Sequence, residues 1–142
     1  MFSIDPDFET SSRSLCSLDL CEVRLQLDAR FAWLILIPRV VGAVELAHLA
    51  PAERAQLSEE MVLAGTAVRA IGEALGAPVE KLNLAMLGNV TRQLHVHVAG
   101  RRSTDAAWPG TIWGSPAVPY PPAELEKACA AALSRLKVAA AP

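Results

Sequence analysis

A chain of 142 residues with a formal net charge of −2 and 20% charged residues is long enough for one domain that buries most of its apolar surface without staples. No lysine or arginine cluster exceeds Arg101-Arg102, which argues against a nucleic-acid partner while leaving room for a small anionic ligand. The longest apolar run, Phe31 to Ile37, falls far short of the roughly 20 residues a membrane-spanning helix needs.

The amino terminus, Met1-Phe2-Ser3-Ile4-Asp5-Pro6-Asp7, has early acid and no apolar core of a signal peptide, so a cytoplasmic protein is expected. Residues 1–20 mix Asp, Ser and Thr with scattered apolars, the pattern of an irregular or briefly helical arm. Cys16, Cys21 and Cys129 are odd in number and lack Cys-x-x-Cys spacing, which predicts small buried hydrophobes rather than disulfides or a zinc ribbon.

Glu22 to Leu27 alternates, with Val23, Leu25 and Leu27 on one face, and predicts a strand. Asp28-Ala29-Arg30 punctuates before a second strand, Trp33 to Ile37, which Pro38 ends by removing a ladder donor. From Pro51 to Leu75, apolar residues at 57, 61, 64, 68, 71 and 75 predict an amphipathic helix, opened by Pro51 and closed by Gly76. Its charged residues, Glu53, Arg54, Glu59, Glu60, Arg69 and Glu73, are expected mostly away from the core. Lys81 to Leu87 predicts a third strand, Gly88 to Arg92 a turn and Gln93 to Ala99 a fourth strand. Residues 100–121, rich in Gly, Pro, Trp and Ser, predict an ordered loop. A last helix spans about 122–138, with Leu125, Cys129, Ala132 and Leu136 on its stripe and a short Ala-rich tail behind it. The whole of 1–142 is expected to be a single α+β domain, an antiparallel sheet with helices packed on it.

Gln93, His95 and His97 alternate with Leu94, Val96 and Val98, so an extended strand presents the glutamine and both imidazoles on one face. A neutral imidazole is a good nucleophile at phosphorus, and its reference pKa of about 6.5 leaves much of it unprotonated at physiological pH. His95 could attack a phosphoester, with His97 beside it to hydrogen-bond a non-bridging oxygen or to deliver a proton to the departing oxygen. The same two histidines could also be legs of a metal site or surface residues of an exposed sheet. His48, the third histidine of the chain, lies in a stretch suited to a solvated or capping role.

Gln93-Leu94-His95-Val96-His97-Val98-Ala99 resembles the signature of the histidine triad family of nucleotide hydrolases and transferases, His-φ-His-φ-His-φ-φ with φ apolar, with glutamine in place of the first histidine. Gly88-Asn89-Val90-Thr91 resembles the family's phosphate-holding turn, Leu36-Ile37-Pro38-Arg39 its Ile-Pro-Lys/Arg strand end, and Trp108-Pro109-Gly110 a Trp-Pro-Pro-Gly segment of one branch. The resemblance implies an α+β fold and cleavage at the α-phosphate of a dinucleoside polyphosphate or nucleoside phosphoramidate through a nucleotidyl-histidine. It makes His95 the nucleophile, His97 the phosphate ligand and proton donor, and Gln93 the orienter, since an amide can donate and accept but not titrate. It also implies that Asp28 grips the ribose, that Asn89 contacts phosphate, and that neither metal nor cofactor is needed, and it makes a homodimer common. Asn83 and Trp108 are further candidates for substrate contact. The alternative is a nucleotide-binding protein of the same fold whose catalysis is weak or lost without the first histidine, and, behind it, a metal-binding module.

Overall fold

The computed structural model of the protein describes residues 1–140; the Ala-rich tail runs on beyond them. In chain order the elements are α1 (Pro6–Ser11), β1 (Ser12–Ser17), β2 (Cys21–Gln26), β3 (Trp33–Pro38), a 3-10 turn at Leu46–His48, α2 (Pro51–Ala74), β4 (Lys81–Ala85), β5 (Val96–Arg101) and α3 (Pro122–Ala140). The strands form one five-stranded antiparallel sheet in the order β1-β2-β3-β5-β4. This is the α+β arrangement expected of the sequence.

The period of two sorts the sheet into two faces. Cys21, Val23, Leu25, Leu34, Leu36, Val96 and Val98 point one way and are buried with Leu57, Ala64, Val68 and Ile71 of α2 and Ala128, Cys129, Ala132 and Leu136 of α3. The opposite face carries Trp33, Ile35, Ile37 and Ala99, covered by Phe8, Phe31 and Ile112 from the arm and loops. Because β3 and β5 are covered on both sides, every one of their residues is buried, and β3 reads as a continuous apolar run. α2 opens with Pro51, and Gly76 follows its end at φ +70°, a conformation that glycine adopts without the cost a Cβ imposes. Gly100 lets β5 pass close under α2: a Cβ there would meet Val79 at 2.5 Å and Val68 at 3.0 Å.

Three expectations are corrected. Within the arm, residues 12–17 form an edge strand, because β2 supplies a partner ladder through Ser12↔Gln26 and Ser17↔Glu22; the composition of Ser12–Ser17 alone gives little strand signal. The fourth strand begins at Val96 rather than Gln93, since its pairing stops at Leu36↔Val96 on one side and Ala85↔His97 on the other. Beyond Leu36, β3 stays paired with β2 through Cys21↔Pro38, but Pro38 has no donor to offer β5. Glu60, grouped with the polar face of α2, is 3% exposed and accepts the N–H groups of Leu20 at 2.8 Å and Cys21 at 2.9 Å, fastening the helix to the start of β2. No helix among the described residues is long and apolar enough to cross a membrane.

Replacing Glu60 by Ala strips two main-chain donors of their acceptor; a loss of about 1–3 kcal/mol of unfolding free energy is expected, read from the shift of the urea midpoint at constant m-value.

Candidate active site

The β3–β5 register places His97 opposite Ile35 and Trp33 opposite Ala99, all on the face away from α2 and α3. His95 stands two residues before His97 on the same side. His95 Nδ1 lies 2.7 Å from the Gln93 carbonyl, His95 Nε2 lies 3.1 Å from His97 Nε2, and the Trp33 indole N–H donates to His97 Nδ1 at 3.0 Å. Phe8 meets the His95 ring edge-on at 4.9 Å and Trp113 meets His97 at 5.1 Å. Gly88 lies in a tight turn beside the site: a Cβ there would lie 2.9 Å from the Thr91 carbonyl, which disfavours a side chain, and in contact with His95 Cε1 at 3.4 Å.

Both imidazoles form part of the wall of a cavity of about 400 Å³, within the usual range for small-molecule sites. Phe8, Ile35, Leu87, Val90 and Trp113 give it apolar walls, and Ser11, Gln26, Asn89 and Thr91 supply its neutral polar groups. Apart from these wall atoms the rings are enclosed, with His95 4% and His97 7% exposed. Burial lowers the His95 pKa below its ordinary value against the pull of the Gln93 and Leu87 backbone carbonyls. Burial, and then the neighbouring His95, lower that of His97 to about 4, with the Leu87 carbonyl opposing. Both rings are therefore neutral at physiological pH.

The predicted site residues separate. His95, His97 and Asn89 meet in the cavity. The Gln93 side chain does not face His95: its Oε1 accepts the Asp5 N–H at 2.9 Å and its Nε2 donates to the Ser3 carbonyl at 2.8 Å. Orientation of His95 comes instead from the Gln93 main-chain carbonyl. Asp28 is 2% exposed and spends its oxygens on Arg30, at 2.8 and 3.0 Å, and on the Val118 N–H at 3.3 Å. Burial alone would raise its pKa, but Arg30 and the backbone donors hold it below the ordinary value. Asp28 clamps two loops together, and the polar residue from this strand end that reaches the cavity is Gln26. Asn83 is exposed and accepts from Arg101 at 2.9 Å. Trp108, 42% exposed, sits under the Arg101 guanidinium and is not among the lining residues, where Trp113 stands instead. His48 caps its own turn by accepting the N–H groups of Val44 and Glu45. Among the described residues no three His, Cys, Asp or Glu side chains converge as a metal-binding group.

The sequence does not single out Phe8, Ser11 or Gln26, and its Trp33 and Trp113 read more readily as packing residues than as parts of a site. Gln26 and Trp33 carried a usable signal, because strand parity puts Glu22, Arg24 and Gln26 on one face and Trp33 on the face of Ile35 and His97. Phe8 carried none, since the packing of the arm is purely tertiary.

A family model described as HIT domain matches residues 7–104. The chain also resembles solved histidine triad proteins from Sinorhizobium meliloti 1021 (37% identity, TM-score 0.86, covering 96% of this chain and 98% of that one) and Bradyrhizobium japonicum (33%, 0.86, 95% and 98%). A third, from Marinobacter aquaeolei VT8, is 32% identical with a TM-score of 0.87, covering 97% of this chain and 98% of that one. Comparison with curated proteins gives no match. The chain belongs to the histidine triad family.

Gln93→Ala is expected to free the arm while leaving the main-chain contact to His95 Nδ1 in place: amide exchange of residues 3–8 should accelerate, with about 1–2 kcal/mol lost from global stability, and the His95 ring resonances should shift as Phe8 withdraws while its Nδ1 stays hydrogen-bonded. A second outcome concerns pH. Both histidines bind protons more weakly folded than unfolded, so the unfolded chain takes up more protons in acid and stability falls as pH drops from about 6.5 toward 4. A loss on the order of 1–3 kcal/mol across that window should appear in urea titrations and be smaller in the His97→Phe variant, which keeps the contribution of His95.

Proposed function

We propose that this protein cleaves a nucleotide conjugate at its α-phosphate through a covalent nucleotidyl-His95 intermediate. The lone pair of His95 Nε2 forms a bond to phosphorus while the bond from phosphorus to the leaving atom breaks and that atom departs with the electron pair. Water in a hydrolase, losing a proton to solvent, or a second phosphate in a transferase, then attacks phosphorus; the O–P bond forms as the N–P bond breaks, and His95 recovers its pair. His97 Nε2 stands 3.1 Å from the attacking nitrogen and is placed to hydrogen-bond a non-bridging oxygen of the same phosphate. Asn89 is the proposed second phosphate contact, and Trp113 and Phe8 offer apolar surfaces to the nucleoside.

The observation that carries this reading is the imidazole of His95 in a cavity wall, its Nδ1 2.7 Å from a main-chain carbonyl. That carbonyl also weakens the case for a binding protein without catalysis. Such a case rests on the missing first histidine, whereas the atom orienting His95 belongs to the backbone of residue 93. The candidate substrates are dinucleoside polyphosphates and nucleoside phosphoramidates, used in the cytoplasm without a metal or other cofactor, and neither nucleic acid nor membrane is a proposed partner. β4 closes one edge of the sheet with Leu84 41% and neighbouring Met86 40% exposed, a surface suited to a second copy of the chain.

Mixing the protein with either conjugate and quenching in base is expected to give an intact-mass increase of one nucleoside monophosphate residue. His95→Ala should remove the adduct and lower turnover roughly 10⁴-fold or more. Turnover without any adduct, or an adduct that survives in His95→Ala, defeats the mechanism, while tight nucleotide binding with no turnover favours the binding protein.

A further inference from the structure

We infer that Trp33 is a positioning residue that holds His97 as a neutral imidazole with its one proton on Nε2, so that His97 donates a hydrogen bond to the phosphate and gives no proton to the leaving group. The first half rests on hydrogen-bond direction alone; the second rests on the cleavage reaction proposed above.

An indole N–H can only donate and a peptide carbonyl can only accept. Trp33 Nε1 donates to His97 Nδ1, so that nitrogen is unprotonated and the single proton of a neutral His97 is on Nε2. There it faces His95 Nε2 at 3.1 Å, which must accept. The proton of His95 is then on Nδ1, directed at the Gln93 carbonyl at 2.7 Å. These three donors meet these three acceptors with no conflict, and the Leu87 carbonyl, which also lies beside both rings, can only accept. Protonating His97 would set its Nδ1–H against the indole N–H, and protonating His95 would set its Nε2–H against that of His97. Trp33 has little freedom to turn aside: it is 5% exposed and packed edge-on against Phe31 at 6.3 Å and Trp113 at 6.2 Å.

The chemical consequence follows from proton count. When phosphate enters, the His97 Nε2–H swings from His95 to a non-bridging oxygen and frees the His95 lone pair for attack. His97 has no second proton. Surrendering the first would leave an imidazolate in a buried, apolar surround, which is strongly opposed by desolvation. The bond from phosphorus to the leaving atom therefore breaks without an acid from either histidine, and the departing group takes its proton from solvent. The site thus favours conjugates whose leaving group is stable as an anion, such as a phosphate, carboxylate or phenolate, and an amine only where the substrate brings its own proton on nitrogen.

Long-range 15N–1H spectra of the histidine rings in the uniformly 15N-labelled wild-type protein test the first half without any substrate. Expected between pH 6 and 8 is His97 with Nδ1 bare and Nε2 protonated, and His95 with the reverse. A His97 proton on Nδ1, or on both nitrogens, overturns the proposal. Trp33→Phe, if it folds, should release His97 into a mixture of tautomers. For the second half, the rates on a nucleoside 5′-phosphate 4-nitrophenyl ester and on its alkyl ester are compared. Wild type should prefer the nitrophenyl ester by at least about 10²-fold, the scale of a missing general acid, and the preference should shrink in Trp33→Phe. Comparable rates on both esters in wild type overturn it. If neither ester is cleaved the proposed reaction fails, and the ring spectra still decide the role of Trp33.

Discussion

The pairing of β3 with β5 is the constraint on which the rest of the site depends. Because Ile35 lies opposite His97 and Trp33 opposite Ala99, a slip of one residue would carry His97 into the helix-covered core and leave Val96 and Val98 facing the cavity. The register is held from both sides. Leu34, Leu36, Val96 and Val98 pack under α2 and α3, while Trp33, Ile35 and Ala99 pack under the arm and loop. Two hydrophobic layers thus fix one polar pair. This differs from a site mounted on an exposed sheet, where the histidines would be solvated and one of them charged much of the time.

The cavity owes its chemistry to what surrounds those rings as much as to the rings themselves. Its walls are aromatic and aliphatic, its polar groups are neutral amides and hydroxyls, and no lysine or arginine lines it. In such a surround the imidazoles lose their charged forms before any substrate arrives. Phosphate charge would be met by N–H groups rather than by cations, which ties affinity to a few directed bonds and makes it less sensitive to salt than a basic cleft would be.

Much of this was legible in the sequence, for physical reasons that can be named. Periods of two and of 3.6 located β2, β3 and both long helices to within a few residues, because each buries one face or both; β4, an edge strand with no fully buried residue, is located through its composition and the turn that follows it. The alternation around His95 and His97 placed both imidazoles on one side even though the ladder itself starts only at Val96, since a chain entering a strand is already extended. What stayed hidden depended on distant partners. β1 exists because β2 offers it a ladder; Glu60 is buried because Leu20 and Cys21 need acceptors. Asp28 reads in the sequence as available for a ribose, whereas in the fold Arg30, two residues on, occupies it. Trp108 and Trp113 are equally plausible as letters, and only the path of the loop decides which one meets His97.

Orientation by a peptide oxygen has an evolutionary corollary. Whatever amino acid occupies position 93, its main chain still offers His95 the same acceptor, so the side chain there is released for other work. In this chain that work is mechanical: the Gln93 amide moors the arm at Ser3 and Asp5 and thereby helps seat Phe8 against the His95 ring. The side chain at 93 can thus serve as an anchor for the arm without disturbing the contact that its main chain makes to His95.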